Sequence, residues 1–155
     1  MGAYSATRHL PYTAQQLFAL AADVAEYPNF VPLCQSARIW GEETDEKGVR
    51  RFDAALVVAY EKLGIHEEFI SHVIADPNIL TVTSQANKGP VKNLTSHWIF
   101  RDAPKHGGCT VSYDVDFRMR SAALNLVMNA AFNKVVDKVM NAFDARAHEL
   151  YGAPQ

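Results

Sequence analysis

Across residues 121–150, apolar side chains return every three or four positions, at Leu124, Met128, Phe132, Val135, Val139, Phe143 and Leu150, with Ala131 and Ala147 where the repeat would lapse. Asn125, Asn129, Asn133, Asp137, Asn141, Asp144 and His148 fall largely on the other side, and the stretch holds no Gly or Pro. The spacing predicts one amphipathic helix of up to thirty residues, about 45 Å long at a rise of 1.5 Å per residue. An apolar stripe of that length needs a partner as long as itself. No second helical pattern in the chain approaches it, so the partner is a sheet built by the preceding segments. A sheet strongly curved around the helix would leave a cavity between the two.

The preceding segments do read as strands. Residues 3–10 make the first, ended by Pro11. Thr13 followed by Gln16 has the spacing of a capping box and opens a helix running to about Ala25, with Leu17, Phe18, Leu20 and Ala21 on its apolar side. Pro28 and Pro32 permit one short helical turn between them. Strands follow at 36–43, 49–60, 65–75, 79–86, 91–101 and 109–120, separated by turn residues such as Asp76, Pro77 and Asn78. The alternation is cleanest in the last strand. Cys109, Val111, Tyr113, Val115, Phe117 and Met119 share one face, and Thr110, Ser112, Asp114, Asp116, Arg118 and Arg120 the other. The order of strand, two short helices, six strands and long helix makes an α+β antiparallel meander. Helices do not alternate with strands, which disfavours a parallel doubly wound fold.

A chain of 155 residues is most simply one domain, 1–155, large enough to hold a core and a modest cavity. The net charge of −2 and the mixed signs along the chain give no basic stripe for DNA. Cys34 and Cys109 are too few for a disulfide scaffold and read as buried small apolar residues in a reducing compartment. There is no basic leader followed by an apolar run, no continuous apolar run long enough to span a membrane, and Ala6 stands where a myristoylation signal after Met1 and Gly2 wants Ser or Thr. A cytoplasmic location is the expectation.

Motifs for chemistry are sparse. The chain has no glycine-rich phosphate loop and no nucleophile elbow. His66 and His72 share a strand parity, but six residues separate them by about 20 Å, too far to chelate one metal. His97, in the penultimate strand, is the histidine best placed for acid–base work, with Cys109 or Asp114 as neighbours across a hairpin. Its alternation with Trp98 and Phe100 favours a structural or surface role over that chemistry. The pattern as a whole favours a non-catalytic binding domain without a catalytic cofactor or metal.

The segment from Tyr27 through Pro28, Asn29, Phe30, Val31, Pro32 and Leu33 to Cys34 resembles the coenzyme Q-binding proteins of the START-like superfamily. That group includes bacterial ribosome-association toxin-like proteins and, more distantly, polyketide cyclases and aromatases. The likeness continues through Gly89, Pro90, Lys92, Asn93 and Leu94, through Trp98, Ile99 and Phe100, through Val115, Asp116 and Phe117, and through Phe143, Arg146, Ala147, Tyr151 and Gly152. Val91 departs from it, standing where an aromatic residue is expected.

The resemblance implies a helix-grip fold, a curved seven-stranded antiparallel sheet around the long C-terminal helix. It also implies a hydrophobic ligand in the space between, ubiquinone or a related isoprenoid, held in support of respiratory electron transport without a bond change. The expected lining is Leu56, Val58, Phe69, Trp98, Phe100, Val111 and Tyr113 from the sheet and Leu124, Val127, Met128 and Phe132 from the helix, with nothing but packing beyond Val135. Tyr60, Tyr113 and Lys92 are candidate donors to the ring oxygens. Phe30, Val31 and Leu33 are expected near the cavity mouth, as a gate or as a transient contact with the inner face of a bacterial membrane. The rival reading is a protein that interferes with ribosomal subunit association through exterior residues such as Lys88, Lys92, Arg118 and Arg120. A polyketide cyclase or aromatase is a third.

Overall fold

Strand alternation and helical spacing resolve, in the computed structural model, into seven strands and two α-helices. The structure describes residues 2–105 and 107–153. Met1, His106, Pro154 and Gln155 lie outside them, and with Met1 the start of the acylation signal considered above.

Strand β1 (Gly2–Leu10) is followed by α1 (Ala14–Ala22) and a 3-10 helix at Val24–Asn29. Then come β2 (Cys34–Thr44), β3 (Arg50–Tyr60), a 3-10 turn at Glu61–Leu63, β4 (Ile65–Asp76), β5 (Thr81–Ala86), β6 (Val91–Asp102), β7 (Cys109–Met119) and α2 (Ala122–Tyr151). The strands form one antiparallel sheet in the order β1-β7-β6-β5-β4-β3-β2. From β2 to β7 this is a meander, in which each strand pairs with its neighbour in sequence. The first strand joins the last, so β1 and β2 sit at opposite edges and the chain crosses the sheet through α1 and the 3-10 helix.

Local chemistry accounts for the ends of these elements. Thr13 accepts from the Gln16 backbone and Gln16 reaches back to the Thr13 backbone, completing the expected capping box. The helix stops at Ala22, short of the expected Ala25, because Asp23 leaves helical dihedrals and Pro28 supports only a tighter 3-10 turn. Gly108 allows the β6–β7 turn to lie against β1. A Cβ there would fall 2.1 Å from the Leu10 carbonyl oxygen, and its φ of +66° favours glycine as well.

The core sits at the α1 end of the molecule. Phe52, Phe100, Val111 and Cys109 from the sheet, Leu17 and Phe18 from α1, and Val136, Met140, Phe143 and Ala147 from α2 form one buried cluster. Phe18 meets Phe100 edge-on at 6.4 Å. A smaller cluster of Ala86, Val91, Phe117 and Met119 lies toward the other end.

Two expectations are corrected. The sheet is open and not strongly curled, so it does not wrap around α2. The stripe on α2 also ends early, since Leu150 is exposed and the buried positions are Val136, Met140, Phe143 and Ala147. Phe100→Ala should lower stability by about 3–5 kcal/mol, the usual cost of emptying a fully buried aromatic site. Chemical denaturation measures it, and a loss under about 1 kcal/mol would show that Phe100 is not a core anchor.

Candidate ligand-binding site

Polar ties along one side set the position of α2. The Asn125 side chain accepts from the Met119 backbone N–H at 2.9 Å and donates to its carbonyl at 3.3 Å, fixing the first turn of the helix to the end of β7. Tyr4 on β1 donates to Asn129, and Arg8 on β1 pairs with Asp137. Phe132 stacks on Tyr4 at 4.2 Å between ring centroids. These contacts hold the helix against the β1–β7 margin, while α1 supports its C-terminal half. Over β3, β4, β5 and β6 the middle of the helix stands off the sheet, whereas its C-terminal part reaches it, with Phe143 stacked on Trp98 at 5.0 Å.

The space left there is a cavity of about 310 Å³, within the usual range for small-molecule sites of about 300–1,000 Å³. Its sheet side carries Leu56, Val58 and Tyr60 from β3, Phe69 from β4, and Trp98 and Tyr113 from β6 and β7. Met128, Ala131, Phe132, Val135, Val139 and Phe143 face it from α2, and Val31, Pro32, Leu33 and Cys34 close one side. Among the described residues, none that lines it is charged.

Leu33 has φ of +71°, a left-handed conformation unusual for a bulky residue, and its carbonyl accepts from the Ala59 N–H at 2.9 Å. The two prolines and that bond hold the segment over the cavity edge.

The structure therefore brings together Val31, Leu33, Leu56, Val58, Tyr60, Phe69, Trp98, Tyr113, Met128 and Phe132. It places five other expected residues elsewhere. Phe100 and Val111 belong to the core cluster, further along their strands toward α1. Leu124 packs against the smaller cluster, and Val127 is half-buried on α2 away from the lining. Phe30 lies outside the cavity, its ring 5.4 Å from Phe143 and under the Arg146 guanidinium at 5.3 Å. On α2 the lining begins at Met128 and runs to Phe143, so the expectation of packing alone beyond Val135 is corrected. The physical reason is that the first turn is pulled onto β7 by Asn125 and the gap opens only after it.

Lys92 does not reach inward. The register slips between Val91 and Asn93, and the extra residue in this bulge is exposed. Exposed Lys88, Lys92, Arg118 and Arg120 gather instead around the β5–β6 turn, where Arg120 donates to the Gly89 carbonyl at 2.9 Å and the Asn87 carbonyl at 3.1 Å. His97 pairs in register with Asp114 on the outer face, and Cys109 with Asp102. Among the described residues no cluster of three or more His, Cys, Asp or Glu is arranged to hold a metal. No described helix is long and apolar enough to cross a membrane.

The sequence matches the family described as polyketide cyclase / dehydrase and lipid transport over residues 10–144. The chain belongs to this family. Its START-like, helix-grip character follows from the same match and from the sheet and helix described above. The protein named ribosome association toxin RatA from Rickettsia prowazekii is 31% identical over 153 residues, 97% of this chain and 99% of that one. The mitochondrial coenzyme Q-binding protein coq10 of Schizosaccharomyces pombe is 32% identical over 145 residues, 93% of this chain and 85% of that one. The solution structure of an 18 kDa protein from Caulobacter crescentus superposes with a TM-score of 0.83 at 31% identity, covering 99% of this chain and 100% of that one. The Zhui aromatase/cyclase from Streptomyces superposes at 0.77 with 16% identity, a likeness of fold alone that covers 95% of this chain and 93% of that one.

The cavity of this START-like chain is thus a hydrophobic ligand site of the kind its fold provides. Two of its phenols, Tyr113 and Tyr27, are held in the neutral form. Burial pushes Tyr113 up to about 12, with the neighbouring Ser96 hydroxyl acting the other way. Burial also raises Tyr27, whose hydroxyl donates to the Ala21 carbonyl.

Sequence reasoning missed the inward serines Ser71, Ser84 and Ser96, and Cys34 at the cavity edge. Strand parity with Val73, Val82 and Trp98 was the signal that could have found the serines. Tyr113 ionises near 10 when unfolded and near 12 when folded, so its contribution to stability is complete below pH 10 and is lost as pH rises toward 12. Between those values wild-type stability should fall more steeply with pH than that of Tyr113→Phe. Parallel profiles in denaturation measured across pH 9–12 would contradict it.

Proposed function

We propose that the chain, as one domain over residues 1–155, binds an isoprenoid quinone such as ubiquinone without altering its bonds. The observation that carries this reading is the apolar, uncharged space between α2 and the sheet. An apolar tail gains roughly 25 cal/mol for each Å² withdrawn from water there, while an ionic head would lose its hydration with no counter-charge to replace it. The relative named a coenzyme Q-binding protein supports the quinone as the ligand. A carrier of this kind collects and delivers its cargo by transient contact with a membrane surface, and it supports electron transport by presenting the quinone rather than by reacting with it.

A second reading has its own support. The relatives named ribosome association toxins favour it more than the quinone reading, and the group of Lys88, Lys92, Arg118 and Arg120 offers an exposed basic surface suited to ribosomal RNA. On this reading the chain binds a ribosomal subunit through its outer face.

Mass spectrometry of a solvent extract from protein purified without added lipid separates the two. The quinone reading expects an isoprenoid in near-stoichiometric amount. Absence of any lipid, together with no binding of added quinone at micromolar concentration, would overturn it. The ribosome reading expects co-sedimentation with a ribosomal subunit that Lys88→Glu with Lys92→Glu weakens at least tenfold.

A further inference from the structure

Within the otherwise apolar cavity, polar side chains are concentrated on one line across the sheet. Ser71 on β4, Ser84 on β5, Ser96 on β6 and Tyr113 on β7 all face it. Ser84 and Ser96 are direct partners across the β5–β6 ladder, and their hydroxyls hydrogen-bond to each other. Ser96 opposes Val115, and Tyr113 lies two residues along β7 on the same face, with Ser96 beside its hydroxyl. Ser84 opposes Val73, and Ser71 lies two residues along β4, again on the same face. Four consecutive strands each place one hydroxyl on this line. Ser96 is the one polar residue in the buried class among the described residues.

Packing alone does not ask for hydroxyls here, because Ala or Val would cover the same sheet face without burying a polar atom. Each hydroxyl both donates and accepts. The Ser84–Ser96 bond uses one of the two O–H donors of that pair, so one donor is left for a partner on the cavity side. The line is also deep. From Ile65 at the end of the cavity away from α1, Ser71 lies six residues along β4, about 20 Å at strand rise.

We infer that Ser71, Ser84, Ser96 and Tyr113 form an anchor for the neutral, oxygen-bearing head of the ligand, a carbonyl or hydroxyl group. The ligand enters head first and its apolar tail runs out past Leu33 and Tyr60. This rests on the reading of the cavity as an apolar-ligand site. It adds the orientation of the ligand and the chemistry of its head. A carboxylate or phosphate head is rejected, since no cation lines the space to meet it.

Two probes with one tail test it by titration calorimetry, 2-decyl-1,4-benzoquinone and decylbenzene. The wild-type chain should bind the quinone about tenfold more tightly. Tyr113→Phe and Ser84→Ala should each weaken the quinone about fivefold, the worth of one hydrogen bond, and leave decylbenzene within twofold. Thermal unfolding of both variants confirms that they are folded, and Ser71→Ala serves as a third variant if either is not. Equal wild-type affinity for the two probes, or parallel losses for both in the variants, would overturn the anchor and leave the apolar site standing. Failure of the wild-type chain to bind either probe would overturn both.

Discussion

The polar ties between α2 and the β1–β7 margin hold the helix above one side of the sheet and away from the other. Asn125 engages the backbone of Met119, Tyr4 reaches Asn129, and Arg8 meets Asp137. At the far end Met140, Phe143 and Ala147 sink into the core built by α1, β3, β6 and β7. A helix fastened at both ends and along one margin holds its middle off β3, β4 and β5. The exposed Arg8–Asp137 pair adds little energy by itself. Its role is to help set where the helix lies, and the buried aromatics supply the stabilisation.

The half-buried state of the middle of α2 follows from this placement. Ala131 and Val135 are half-buried and face the cavity without packing against either core cluster. Apolar surface left in such a space is partly unsatisfied, since contacts on one side are missing. A ligand with an apolar body completes those contacts, and the same withdrawal from water keeps the Tyr113 phenol protonated and able to donate. Fold and site therefore share one cause.

Much of the fold was legible in the spacing of residues. The helix expected over residues 121–150 is found at Ala122–Tyr151, and the last strand alternates as Cys109, Val111, Tyr113, Val115, Phe117 and Met119 required. Period and turn chemistry are local, and local signals survive in a sequence. The site was less legible because it depends on height above the sheet, which no periodicity encodes. Phe100, Val111 and Leu124 share a parity with true lining residues but sit where the helix or α1 closes down on them. Asn125 and Asn129 read as the solvent side of the stripe, although in the fold they are the ties. Lys92 was misplaced by a bulge that alternation cannot register. The serines were passed over because a small polar residue carries little weight in an apolar pattern.

The central claim is that the gap beneath α2 is a space built into the fold and not a loosely packed core. Val135 faces that space from the middle of the helix. Filling it with Val135→Phe and measuring thermal unfolding together with binding of an apolar probe tests the claim directly. A built cavity accepts the larger ring, so the melting temperature should hold within about 2 °C while probe binding is lost. A packed core would respond to overpacking with a loss of about 1–3 kcal/mol. That loss, or unchanged probe binding in the stable variant, would contradict the account.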